Sequence, residues 1–297
     1  MSRGSTVIPV SYAQQRLWLI DQIEGPTALY NLPFAVRLRG TLDTDALRAA
    51  TADVVARHEA LRTVFPVDGG VPVQRILPSA EAEIAFETVD CAPGQYPALR
   101  DRAAARTFDL SAELPIRVTV FSLTDARPAP ASAAEHVLLV VLHHIAGDGW
   151  SLGPLLRDLA TAYAARRAGR APDWEPLPVQ YADYTLWQRE LLGDESDPGS
   201  VLSRQLDHWR EALAGLPEEL ELPTDRPRPP APTGAADAVP FGYGPELHAA
   251  LAGLARRHRA TLFSVLQAGL AALFTRLGAG TDIPLGTGVA GRSDEAL

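Results

Sequence analysis

Two adjacent histidines, His143 and His144, are separated by three residues from an aspartate, Asp148, with glycines at 147 and 149. An imidazole exchanges a proton near neutral pH. A carboxylate held by a cation fixes a loop, and glycine lets the backbone turn tightly and leaves room for a ligand. The set therefore offers one base, one anchor and open space. The same letters admit three other chemistries. A metal site could use His143, His144 and Asp148, although adjacent residues on an extended chain point in opposite directions. A serine hydrolase could use Gly149-Trp150-Ser151-Leu152-Gly153, which matches G-x-S-x-G. Against it, the apolar run ahead of the motif ends at Leu142, seven residues before Gly149, whereas a nucleophile elbow follows its strand directly. No His-Gly-Gly stretch precedes it either. Finally, the histidines could simply be satisfied within a turn.

The elements that must position these residues are legible from periodicity. Residues 137–142, Val-Leu-Leu-Val-Val-Leu, form an unbroken apolar run that suits a strand covered on both faces inside an α/β layer structure. A helix follows the motif, with Leu152, Leu155, Leu156, Leu159 and Tyr163 on its apolar side. Polar residues at the end of a buried strand, just before a helix, are where α/β proteins place their sites. Upstream, an amphipathic pattern opens after Ser11 with Leu17, Trp18 and Ile20 on one face, and 34–38 alternates as a strand. Next comes a helix capped by Thr44 or Asp45, with Leu47, Ala50, Val54, Val55 and Leu61 at helical spacing. Residues 71–77, 84–89 and 116–123 read as strands, 98–105 as a helix and 127–134 as an exposed turn. Further on, 172–178 reads as a crossing between lobes, 181–192 and 202–213 as helices, and 222–240 as a proline- and alanine-rich linker. A helix over 262–277 leads into a strand near 283–289. The pattern is two α/β lobes, the second stopping early.

Composition narrows the function classes. Across 297 residues the formal net charge is −9, and no basic run is interleaved with aromatics, which argues against nucleic acid and anionic membrane surfaces as partners. Cys91 is the sole cysteine, so neither an internal disulfide nor a cysteine-rich metal site is available. The N-terminus lacks the apolar core of a signal peptide. The most apolar helical stretch, 262–277, is interrupted by Gln267 and Arg276 and is too short to span a bilayer. A cytoplasmic location is expected.

His143-His144-x-x-x-Asp148-Gly149 resembles the signature of nonribosomal peptide synthetase condensation domains, members of the chloramphenicol-acetyltransferase-like superfamily. Four further stretches resemble condensation-domain motifs in the family's order. Ser11-Tyr-Ala-Gln-Gln-Arg-Leu-Trp-Leu19 is similar to the first and Arg57-His-Glu-Ala-Leu-Arg62-Thr-Val-Phe65 to the second. Tyr181-Ala-Asp183-Tyr-Thr-Leu-Trp187-Gln188 is similar to the fourth and Leu285-Gly-Thr-Gly-Val-Ala-Gly291-Arg292 to the fifth. His208-Trp209 and the stretch from Leu222 to Pro227 also sit where the family has similar residues. The chain ends just past the fifth motif, whereas the family continues. Gly147 stands where serine is frequent. The intact histidine pair argues against the cyclising branch, and Trp150-Ser151 against the epimerising branch.

The resemblance implies an α/β fold of two chloramphenicol-acetyltransferase-like lobes in a V-shaped arrangement, the second incomplete, with residues 1–175 as the N-terminal lobe and 176–297 as the partial C-terminal one. It implies amide-bond formation between a donor acyl or peptidyl thioester and the α-amine of an acceptor aminoacyl thioester. Both substrates would arrive on phosphopantetheine arms of donor and acceptor peptidyl carrier proteins, with an adenylation domain adjacent in the parent protein. The domain itself would bind no cofactor or metal. His144 would orient the amine or take its proton, and His143 and Asp148 would be scaffold. Arg292, or alternatively Arg62, would pair with Asp148. Gly149 would keep a passage open or serve as a left-handed turn residue, and Trp150 and Ser151 would support the site. Trp18, Trp187 and Trp209 are expected in core packing. The opening motif and Tyr30-Asn31-Leu32-Pro33 suggest an L-configured donor, and the nearness of Met1 to the first motif suggests a donor carried on a separate protein. Two other functions stay open: a related acyltransferase with another acceptor, and a non-catalytic carrier-docking module.

Overall fold

The apolar run ahead of the histidines becomes the centre of the molecule's main sheet. In the computed structural model, which describes residues 7–124, 134–217, 219–227, 239–289 and 291, the strands of that sheet are β2 (Asn31–Arg39), β6 (Ala85–Cys91), β7 (Ile116–Leu123) and β8 (Glu135–His143). Their spatial order is β2-β8-β7-β6. β8 runs antiparallel to both neighbours, with Asn31 opposite His143 and Ile116 opposite Leu142, and β6 runs parallel to β7. β1 (Ile8–Pro9), β3 (Thr63–Val64) and β4 (Val67–Asp68) pair with β5 (Val71–Ile76) in a smaller sheet.

Side chains alternate across a strand, and β8 uses both faces. Leu138, Val140 and Leu142 enter one cluster with Leu47, Ala50 and Val54 of α2 (Thr44–Arg57) and Leu155, Leu159 and Ala162 of α4 (Leu152–Arg167). Val137, Leu139 and Val141 enter the other with Leu17 of α1 (Tyr12–Glu24), Phe108, Phe121 and Ile145. The helix α3 (Tyr96–Ala104) contributes Tyr96 and Leu99 to that second cluster. A strand covered on both faces has no polar side to alternate, which is why the sequence reads as an unbroken apolar run.

Polar ties lock α2 to α4: Arg166 makes a two-pronged contact with Asp53, at 2.6 and 2.5 Å, and Arg57 Nε donates to Asp158 at 3.0 Å. The α2 cap is Asp43, whose carboxylate accepts from the Ala46 N–H, one residue ahead of the expected Thr44 or Asp45. The cap of α1 meets the first residue of α5 (Tyr181–Leu192): Ser11 Oγ and Tyr181 Oη are 2.9 Å apart. Behind them Gln74 donates to the Pro9 carbonyl and to Thr185 Oγ1, and Gln14 donates to Gln74.

The described residues up to Gly193 form one compact unit and Asp194–Gly291 a second. The crossing read at residues 172–178 therefore lies inside the first unit. α5 is bound there by Arg189, which donates to the Val10 carbonyl and lies over the Tyr12 ring. In the second unit the described elements are α6 (Val201–Ala212), α7 (Pro245–Arg257) and α8 (Leu262–Arg276). The strand expected at 283–289 is not formed, since no strand among this unit's described residues offers it a partner. α7, unanticipated in the sequence, starts with proline at its first turn directly after the proline-rich stretch. On α8, Phe263, Leu266, Leu270, Leu273 and, just past its end, Leu277 are all at least 40% exposed. Among the described residues no helix is long and apolar enough to cross a membrane. The turn expected at 127–134 and most of the 222–240 stretch lie outside the described residues.

Leu142, 1% exposed, is the last residue of β8 directed at α2 and α4. Leu142→Ala is expected to lower the unfolding free energy by about 2–5 kcal/mol, read as a shifted urea midpoint at unchanged slope.

Candidate active site

At the end of β8 the alternation that buries the strand sorts the two histidines. His143 continues the parity of Val137, Leu139 and Val141 and is 3% exposed, with the Phe108 ring edge-on at 6.0 Å and the Tyr30 ring tilted at 6.5 Å. His144 takes the other parity and is exposed. Two main-chain bonds hold the pair in place. The His143 N–H donates to the Pro115 carbonyl at 3.0 Å, and the His144 N–H donates to the Tyr30 carbonyl at 2.8 Å. The backbone is fixed while the His144 imidazole remains accessible.

His143 Nδ1 accepts the Ile145 N–H at 3.1 Å, so its proton sits on Nε2 and the ring is neutral. Burial, and secondarily the neighbouring His144, push its pKa down to about 4. A ring of this kind is a wedge, not a proton shuttle. The opposed burial of the two rings also fails to gather the three ligands a metal site would use.

The loop after the histidines closes on itself. Asp148 Oδ1 accepts from Ser151 Oγ at 2.7 Å and from the Ser151 N–H at 2.9 Å, while Ser151 Oγ accepts from the Asp148 N–H at 3.0 Å. Ser151 lies at φ −66°, ψ −24° ahead of α4, in ordinary helical geometry, and its hydroxyl hydrogen is directed at Asp148. That is a helix-entry turn, not the strained strand-to-helix elbow of a serine hydrolase.

The glycines divide differently from expectation. A Cβ at Gly147 would lie 3.3 Å from Leu142 Cδ1 and 3.5 Å from Ser151 Cβ, so this is the position where the loop is tight. At Gly149 a Cβ meets nothing within 4 Å among the described residues, and the backbone is not left-handed. The turn-residue reading of Gly149 is thereby overturned. Trp150 is 71% exposed beside it.

Arg62 is engaged elsewhere: it donates to the Leu77 carbonyl at 2.5 Å, to the Ala56 carbonyl and to Glu59. This rules it out as the alternative partner of Asp148, because its guanidinium is directed at the end of β5. Arg292, the first-choice partner, lies outside the described residues. Motifs one, two and four make contacts with one another. Asp158 Oδ2 accepts from Arg57 Nε at 3.0 Å and lies 2.8 Å from His58 Nε2. Gln180, just ahead of α5, donates to the Arg57 carbonyl and accepts the Glu59 N–H. These motifs therefore tie α1, α2 and α5 together. Trp18 packs on the Leu17 cluster as expected, but Trp187 and Trp209 are 51% and 57% exposed, so neither is core packing among the described residues. Tyr30, Phe108 and Pro115 were not singled out as parts of the site. Two of them act through carbonyl groups that carry no side-chain signal, and Phe108 sits in an aperiodic loop.

A family model described as Condensation domain matches residues 4–297. The chain belongs to the condensation-domain family. It is 57% identical over 98% of its length to a probable non-canonical nonribosomal peptide synthetase, CymA, of Salinispora arenicola, and 51% identical over 98% to a dimodular nonribosomal peptide synthase of Bacillus subtilis. It spans only 4% and 12% of those proteins. Among solved structures it resembles the X-domain in "Complex of the X-domain and OxyB from Teicoplanin Biosynthesis", with TM-score 0.83 and 40% identity over 95% of this chain and 60% of that one. The mixed α/β fold with two sheets is the one expected of a condensation domain.

Burial of neutral His143 makes this condensation domain acid-sensitive. The unfolded ring titrates near 6.5 and the native one near 4, so between those values the unfolded chain holds the extra proton. The stabilisation is full above about pH 6.5 and is lost as pH falls toward 4, by about 3 kcal/mol in all. Denaturant titrations at pH 7 and pH 4.5 should show this loss in the parent protein and a clearly smaller one in His143→Gln.

Proposed function

We propose that this condensation domain forms amide bonds between carrier-bound acyl groups, with His144 as the residue that meets the attacking amine. The carrying observation is the arrangement at the end of β8: an exposed imidazole on a backbone pinned by Tyr30, beside a buried neutral one. In this reading a donor acyl or peptidyl thioester and an acceptor aminoacyl thioester are presented on the phosphopantetheine arms of two carrier proteins. The acceptor nitrogen attacks the donor carbonyl carbon, the nitrogen loses a proton, and the C–S bond breaks with the thiolate leaving on the donor arm and taking up a proton. Family membership supports the chemistry, and the synthetase relatives support the carrier partners.

A free α-amine has a pKa of about 7.7–8.0, so roughly a tenth is neutral at pH 7 and generating the nucleophile costs only about 1 kcal/mol. His144 therefore contributes mainly by orienting the amine and by accepting the proton that becomes acidic once the C–N bond forms. Asp148 holds Ser151 and the start of α4, and so the loop beside His144. Gly149, with free space around it, leaves room for a pantetheine arm.

A second reading rests on the X-domain whose solved structure is a complex with OxyB: this chain would recruit a protein and catalyse nothing. Single-turnover assays with donor- and acceptor-loaded carriers, using the intact polypeptide that carries this chain, separate the two. Amide product is expected, falling about 10²–10⁴-fold in His144→Ala. Amide formed equally by parent and variant would remove His144 from the chemistry, and no amide from folded protein would favour recruitment. Gly149→Leu is expected to leave thermal stability unchanged within ~0.5 kcal/mol yet to slow the same turnover at least tenfold, measured by comparing melting curves with product formation.

A further inference from the structure

Behind His143 lies a buried cation that the chemistry above does not use. Arg117, on β7, is 7% exposed. Its Nη1 donates to the Arg106 carbonyl at 2.8 Å, and its Nη2 donates to the Thr107 carbonyl at 2.7 Å and to Glu113 Oε2 at 2.5 Å. Glu113 Oε2 also accepts the Asp109 N–H at 3.2 Å, closing the turn that follows. Asn31, the β2 residue opposite His143, works on the same segment: its Nδ2 donates to the carbonyls of Ala104 at 2.7 Å and Arg106 at 3.0 Å. Two elements of the main sheet thus clamp the aperiodic chain between α3 and β7.

That segment carries two of the groups that hold His143. Phe108, 3% exposed, has the Arg117 guanidinium 3.8 Å over its ring centroid and makes an edge-to-face contact with the His143 ring at 6.0 Å. Pro115, two residues before Arg117, supplies the carbonyl for the His143 N–H. Burying a guanidinium is a costly way to fill space, since apolar packing of the same volume usually stabilises as well or better. A planar fork with five donors does what an apolar plug cannot, fixing successive carbonyls in one geometry and stacking on a ring.

We propose that Arg117 is a positioning residue for amide formation: it clamps the 104–108 segment so that Phe108 wedges His143 and sets the backbone from which His144 projects. The proposal rests on the reading of His144 as the residue that meets the amine. It assigns no contact between Arg117 and substrate.

The test compares Arg117→Lys, Arg117→Met, Phe108→Leu and the Arg117→Met/Phe108→Leu double variant, in the intact polypeptide, by single-turnover rate per folded molecule at saturating loaded carriers. Lysine keeps the charge but not the fork, so Arg117→Lys should not rescue, and both Arg117 variants should lose about 10–100-fold in maximal rate with the carrier concentration at half-saturation changed less than about threefold. Phe108→Leu should lose about tenfold, and the double variant should be no slower than Arg117→Met, because both act through one contact. Wild-type rates in folded Arg117→Met or Arg117→Lys, or losses that multiply in the double variant, would overturn the proposal. A readout independent of turnover is the nitrogen NMR of His143, where one neutral Nε2–H signature is expected in the parent and an averaged tautomer signal in Arg117→Lys. An unchanged signature would count against the clamp even if no amide were formed by any form of the protein, the parent included; that last outcome alone would instead remove the amide-forming reading. If Arg117→Met does not fold, Arg117→Lys and Phe108→Leu carry the comparison.

Discussion

One main-chain hydrogen bond, from the His144 N–H to the Tyr30 carbonyl, sits where the burial of β8 has to end. Up to that point every side chain of the strand from Val137 onward enters one of two apolar clusters, and the alternation of the pleat leaves no exposed position. At His143 the alternation directs an imidazole into the interior, where Nδ1 finds the Ile145 N–H and the ring stays neutral. One residue later the same alternation delivers an imidazole to solvent, and the Tyr30 carbonyl satisfies the N–H that the finished strand would leave open. The pair is thus one device with two faces, a buried wedge and an accessible ring. Ser151 and Asp148 then turn the chain into α4, whose packing on α2 completes the cluster beneath the strand.

The functional strand and the helix behind it were readable because their signals are local and strong. Residues 137–142 carry one continuous apolar run, and 116–123 and 181–192 match the observed elements to the residue. The opposed directions of His143 and His144 followed from strand geometry alone. Other parts were not readable for physical reasons. The carbonyls of Tyr30 and Pro115 are groups every residue owns, so nothing in the letters marks them. Phe108 and Arg117 matter through contacts set by a loop without period. The cap of α2 fell on Asp43 because several capping residues compete within three positions. Residues 283–289 have strand-like letters, but a strand is made by its neighbours, and the described part of that unit supplies none.

The resemblance to known motifs and the coordinates divide the work differently. In the sequence five motifs look equivalent, each a short conserved-looking string in the family's order. In the structure the third places an exposed imidazole on a backbone held by main-chain hydrogen bonds. The first, second and fourth meet through Ser11 and Tyr181, through Gln74 and Thr185, and through Gln180 and the Arg57 backbone, making a polar seam between helices. In the same seam His58 and Asp158, reactive in principle, are held by each other and by Arg57, which makes their role architectural. Motif order then reflects the order of elements that must be stitched, not steps of a reaction.

The pairing of β2 with β8 has a consequence for how the chain is made. Asn31 finds His143 only after the intervening strands, helices and loops exist, so the sheet cannot close while the polypeptide is short. At synthesis rates of about 5–20 residues per second, the roughly hundred residues between the two strands take on the order of 5–20 s to emerge from the ribosome. For that interval β2 is a strand with no partner on the side that will carry the site. The edges of Phe34 and Leu38 that later cover β8 are meanwhile open to any other unpaired strand, including one from the neighbouring nascent chain on the same messenger.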